Sequence, residues 1–306
     1  MSAYEAIILT IITASTPLLL AAIGELVVER SGVLNLGIEG MMVMGAVCGF
    51  AAAHVSGSAW LGVIAAVMGG VAMSLLFALL TQTLITNQVA TGLAITMLGL
   101  GLSGLIGSDF VGLPGVKLAN VSIPWLTELP YVGRLVFGQD PLVYVSIGLT
   151  VGVAYGLKHT RWGLIIRAVG QSHSSAHALG YRVIAVRYAC IAFGGATSGL
   201  AGGYLSLVYT PQWIENMTAG RGWIALALVV FSTWLPGRLA AGAYLFGGVW
   251  ILGLYAQAMG LGIPSQLLSS LPYVATILAL VVISTNRRLS VINTPASLGQ
   301  GFVPDR

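Results

Sequence analysis

Stretches of about 20 apolar residues recur along nearly the whole chain, the length a helix needs to cross a hydrocarbon core. They fall at about 6–23, 41–54, 59–80, 89–107, 142–157, 188–209, 223–235, 239–259 and 267–284. Only 7% of the 306 residues are charged and 57% are hydrophobic, against roughly 25% charged in an ordinary soluble protein. So few charges cannot cover the surface of a soluble chain this long, so lipid is the solvent for most of it. The fold expected is all-α, a polytopic transmembrane bundle of about 8–10 spans with one or more broken or re-entrant helices.

Segments 41–54 and 223–235 are short for full spans and point to such breaks. The first apolar stretch has no basic region before it, only Glu5, and reads as a retained span rather than a cleaved signal. Residues 1–290 form one transmembrane domain, and 291–306 read as a flexible tail.

Loop charge sets the relative orientation. Segment 158–187 carries Lys158, Arg161, Arg167, Arg182 and Arg187 with no acidic residue, so it is expected in the cytoplasm. Counting spans puts Arg238 and the C-terminal Arg287 and Arg288 on the same side. It puts 108–140, with Pro114, Pro124, Trp125, Pro130 and Tyr131, outside as an ordered cap. The basic residues lie in loops and form no stripe, so no nucleic-acid partner is expected. Trp213, Trp223 and Trp234 read as interfacial anchors.

Catalytic signals are thin. The chain has no G-x-x-x-x-G-K-[ST] loop, H-E-x-x-H or G-x-S-x-G, so it is not read as an enzyme, and any ATP hydrolysis belongs to a partner chain. No cofactor is implied. Cys48 and Cys190 lie in apolar stretches and read as small buried hydrophobes. His173 and His177, four apart, share a helix face, but no Cys or carboxylate stands near enough to complete a metal site.

The stretch from Gly24 to Gly40 places Glu25, Glu29, Glu39, Arg30 and Asn35 between two apolar spans. Glycines at 32, 37 and 40 oppose one continuous helix, at roughly 1 kcal/mol each. One reading is a broken helix whose Asn35 and Glu39 approach a solute pathway, since irregular backbone at membrane depth needs protein or a cavity around it. The other is a cytoplasmic turn. Arg221, entering a span beside Gly220, Gly222 and Trp223, is costly there unless paired or wet. It could bind substrate, pair with Glu215 or anchor the helix end. Asn87, Gln88 and Thr91 could bond a polar solute or bridge helices.

Val33-Leu34-Asn35-Leu36-Gly37-Ile38-Glu39-Gly40-Met41-Met42 resembles the N-terminal motif of permeases from nucleoside and simple-sugar ABC importers. That group lies within the larger permease family that includes ribose and branched-chain amino-acid importers. Asn87 to Leu93, Thr160 to Gly170, Met217 to Ala227 and Gly262 to Gln266 resemble further segments of the family, so the resemblance covers residues 24–284. It implies a bacterial cytoplasmic-membrane subunit working with ATP-binding cassette ATPases, a second permease subunit, an external solute-binding protein and membrane lipid. The implied solute is a nucleoside, with a simple sugar or branched-chain amino acid as alternatives. The implied ATPase-docking helix lies from Arg167 to Tyr181, with Arg161, Arg167, Gly170, His173, Ala176, His177 and Gly180 as docking residues. The chain departs from the family at Gln171-Ser172-His173, where an acidic residue, Asn and Pro are common. A stand-alone secondary transporter is the competing class. It calls for intramembrane carboxylates or histidines for ion coupling, and Glu39 is the one candidate the sequence offers.

Overall fold

The computed structural model describes residues 3–121, 133–259, 264–284 and 293–303. Trp125, Tyr131, Pro124, Pro130, Arg287 and Arg288 lie outside them, as do Gly262 and Ile263. Among the described residues twelve α-helices follow in order: α1 (Ala3–Arg30), α2 (Ile38–Ser56), α3 (Ala59–Ala78), α4 (Gln88–Gly107), α5 (Gly133–Phe137), α6 (Pro141–His159), α7 (Arg161–Gln171), α8 (His173–Ala178), α9 (Val183–Tyr204), α10 (Arg221–Phe231), α11 (Pro236–Ala258) and α12 (Ser265–Ser284). One π-helical turn prolongs α3 through Thr83 and another prolongs α9 through Tyr209.

Each of the nine apolar segments coincides with a helix. Among the described residues seven helices are long and apolar enough to cross a membrane. The bundle is held by α1, α2, α3 and α9, and glycine makes that closeness possible. A Cβ on Gly199 would collide with the carbonyl of Ala66, and one on Gly202 with that of Met42. Gly70 meets the backbone of Gly195 and Gly199 in the same seam. In lipid there is little hydrophobic drive between helices, so close backbone packing supplies the association.

The two ends of the bundle separate cleanly. At one end α7 meets the α1 terminus, where Gly170 abuts the Arg30 carbonyl, and Thr83 shares a hydrogen bond with Tyr188 Oη (2.6 Å). At the other end His54 Nδ1 is 3.2 Å from the Pro114 carbonyl, and Leu118 donates its N–H to Leu207 (3.0 Å). Segments 158–187 and 108–121 thus lie at opposite ends of the bundle.

The flexible tail requires correction over residues 293–303. Ser297 donates from its N–H (3.0 Å) and its hydroxyl (2.7 Å) to the Gly170 carbonyl, and Gly299 N–H reaches Gly32 (3.1 Å). Phe302 is buried between the rings of His173 and His177, each 5.3 Å away centroid to centroid. The polar composition that suggests disorder is satisfied by main-chain bonds to α1 and α7.

Candidate functional site

The break between α1 and α2 is buried, not a surface turn. Gly92 abuts Leu36, and Gly99 abuts Gly40, so the break lies level with the first three turns of α4 rather than beyond its end. The N–H groups of Leu34, Asn35 and Gly37 find side-chain acceptors, as backbone at that depth requires. Asn35 Oδ1 accepts from Gly37 N–H (2.9 Å), while its Nδ2 and N–H both face Glu25 at 3.3 Å. Gln88 Oε1 accepts from Leu34 N–H (2.8 Å), and Thr96 donates to the Leu36 carbonyl (2.9 Å).

Glu39, in the first turn of α2, closes a second break. Residues 210–220 run irregularly from Trp213, packed on Gly107, to Gly220 at the start of α10. Glu39 Oε1 accepts from Thr218 Oγ1 (2.6 Å) and Gly220 N–H (2.8 Å), and Oε2 accepts from Gly222 N–H (2.6 Å). A carboxylate thus accepts from the N-cap Gly220 and from Gly222 in the first turn of α10, and meets the positive end of its dipole. Asn216, Ala219 and Gly220 have positive φ (56°, 47° and 81°), which folds the chain back onto Glu39. This explains the short 223–235 segment: α10 begins where Glu39 caps it.

The other sequence candidates divide by exposure. Asn35 is 1% and Glu39 3% exposed, so neither side chain faces open space, contrary to the pathway-facing expectation, because protein groups occupy their polar atoms. Gln88 and Thr91 are also buried, with Thr91 hydroxyl 2.8 Å from that of Thr86. Asn87 is exposed and caps α4 through Ala90 N–H. Arg221 donates to the carbonyls of Met217 (3.1 Å) and Thr218 and stacks over Tyr209 at 5.5 Å. It lines a cavity of about 100 Å³ with Ala14, Leu18, Phe246 and Trp250. Glu215 instead lies beside Gly104 on α4. Trp223 is 37% exposed, whereas Trp213 and Trp234 are buried and are not interfacial anchors.

Three groups that the sequence names, but does not place in the interior, are buried. Glu25 and Glu29 are each 0% exposed, one turn apart on α1; Glu29 Oε2 accepts from the Trp234 indole, and its Oε1 has no partner. Arg187, also 0% exposed, donates to the carbonyls of Ser31 and Gln300 and to Gln82 Oε1. Among the described residues Glu39 is therefore one of four buried carboxylates, with Asp140 the fourth. The i, i+4 spacing of Glu25 and Glu29 on an apolar helix is the signal that could have found them.

The loop from α7 to α8 is a second candidate surface. Thr160 and Ser172 cap the two helices through Gly163 N–H and Ser175 N–H. Gly170 and Ala176 are buried and pack the loop against the bundle, so they are not free to meet a partner. Arg167 is half-buried, facing a cavity shared with Arg30. Arg161, His177 and Gly180 are exposed, and so are Leu179 (76%) and Tyr181. Gly180 has φ of 86°, which turns the chain sharply beneath Leu179. The shared face of His173 and His177 is filled by Phe302. Burial, and then the Arg187 guanidinium, hold His173 below its ordinary pKa of 6.5.

Comparison with known proteins agrees with this architecture. The profile of the family described as "Branched-chain amino acid transport system / permease component" matches residues 7–284. The Haloferax volcanii protein TsgC13, named as a glucose ABC transporter permease, is 36% identical over 95% of each chain. The guanosine ABC transporter permease NupQ of Bacillus subtilis is 32% identical, covering 89% of this chain and 92% of its own. The nucleoside ABC transporter permease NupC of Lactococcus lactis is 28% identical, covering 91% and 92%. With its helical membrane bundle, broken helices and near full-length match, the chain belongs to the branched-chain amino acid transport system permease family and is an ABC importer permease subunit.

Proposed function

We propose that this permease carries a nucleoside, delivered by an external binding protein, between itself and a second permease subunit. Separate ATPase subunits grip the exposed tip of the α7–α8 loop on the cytoplasmic side. The nucleoside reading is supported by the motif from Asn35 to Met42 and by likeness to relatives named for guanosine and nucleosides. A simple sugar is the second reading, favoured by the 36% identity to TsgC13. Calorimetry on the partner binding protein separates them: tight binding of guanosine or another nucleoside supports the first reading, and binding of glucose alone would replace it.

One observation carries the docking assignment. Leu179 and Tyr181 stand exposed on a hairpin whose base is fixed to α1 through Gly170, so a push at the tip reaches the α1–α2 break through rigid contacts. In this reading Asn87, Arg221 and Trp223 face the solute, while Asn35, Glu39, Gln88 and Thr91 position the broken helices behind them. Leu179→Asp should abolish co-purification with the ATPase while leaving membrane insertion intact. Undiminished co-purification would move the docking site elsewhere.

A further inference from the structure

At the end of the bundle that carries α7, a cavity of about 710 Å³ opens between α1, α6, α7 and the start of α11. Four cations line it: Arg30, Lys158, Arg167 and Arg238. Among the described residues no Asp or Glu does; Glu29 is turned to the Trp234 indole. The arginines are held by neutral acceptors. Arg30 donates to the Trp234 and Asn293 carbonyls, Arg167 Nε to the Gly163 carbonyl (3.3 Å), and Arg238 Nη1 to Thr233 Oγ1 (3.0 Å). These bonds fix the guanidinium groups without neutralising them. Like charges gathered in a low-dielectric wall repel, and an anion between them removes the penalty.

Apart from Gln171 and Asn293 the rest of the wall is apolar, and Leu157 is shared with a second cavity of about 260 Å³. That cavity is lined by Val153, Trp162, Ile166, Cys190 and Phe193, with almost no polar surface. A charged chamber adjoining an apolar slot at the end of a membrane bundle matches an amphiphile with an anionic head. Basic pockets between transmembrane helices bind anionic lipid heads in this way. We propose that the chamber binds an anionic phospholipid, its phosphate among Arg30, Lys158, Arg167 and Arg238 and one acyl chain along the slot.

The test is native mass spectrometry of the detergent-purified chain offered phosphatidylglycerol or phosphatidylcholine. Retention of one phosphatidylglycerol, with loss of phosphatidylcholine, is expected. Lys158→Gln with Arg238→Gln should weaken that binding about 30-fold, and the charge-keeping pair Lys158→Arg with Arg238→Lys should restore it. Equal retention of both lipids, or undiminished binding by the Gln pair, would overturn the proposal. Displacement of the lipid by millimolar inorganic phosphate would also overturn it, making the chamber a site for free phosphate. Should the Gln pair not fold, thermal shifts of the native chain decide. Phosphatidylglycerol should raise Tm where phosphatidylcholine and phosphate do not, and the absence of that difference refutes the assignment.

Discussion

Glu39 shows what a single carboxylate does in this fold. It accepts three hydrogen bonds from residues about 180 positions away and joins the first turn of α2 to the start of α10. Glu39→Gln keeps the shape but loses the charge and turns an NH2 toward a donor. The expected cost is about 2–4 kcal/mol, read as a drop of about 5–10 °C in detergent Tm; an unchanged Tm would refute the capping role. The sequence offered Glu39 as a pathway residue of a broken helix or as part of a cytoplasmic turn, because it stands beside an apolar run. It could not name the partner, because Thr218 to Gly222 reach it only through positive-φ residues that no periodicity announces. His173 offers a pH test at the same scale. Its lowered pKa means that the packed form holds fewer protons than the free form, so tail docking is complete above the ordinary 6.5 and weakens as pH falls below it. A spin label at Val303 should become mobile as pH drops from about 7 to about 5.5, and His173→Leu should remove that dependence.

Among the elements, the helices were legible and their breaks only partly so. Nine apolar segments predict nine of the helices, because length and hydropathy are what lipid demands. The break at 31–37 was legible through its glycines and charges, but its depth was not, since depth is set by contacts of Leu36 and Gly40 with α4. The tail was misread because its anchors are backbone bonds and one phenylalanine, features that composition does not weigh. Helix seams give a graded prediction. Gly199→Ala and Gly202→Ala drive a methyl into backbone and should reduce folded yield severely, with strain exceeding about 1–3 kcal/mol. Gly148→Ala and Gly152→Ala on α6 meet nothing within 4 Å and should leave stability equal or raised by up to about 1 kcal/mol. Fluorescence-detected size exclusion after heating ranks the four; equal tolerance would contradict the close-packed seam.

For the whole molecule, two sets of rigid contacts tie the loop and the broken helices to the bundle. The α7–α8 loop is tied to α1 by Gly170 and to the tail by Ser297, while Glu39 ties α2 to α10. A two-state rocking of such a body can move a pathway without any ionisable group taking part in coupling. Buried Glu25 and Glu29 sharpen the contrast, because an ion-coupled carrier would use carboxylates of this kind. Here Glu25 is engaged by Asn35 and Glu29 by Trp234, which gives them structural work at the α1–α2 break. Solute uptake into proteoliposomes decides between the classes. With the partner ATPase, second permease subunit and binding protein present, labelled nucleoside should accumulate only with ATP, and the chain alone under a proton or sodium gradient should move none. Gradient-driven accumulation by the chain alone would contradict the account.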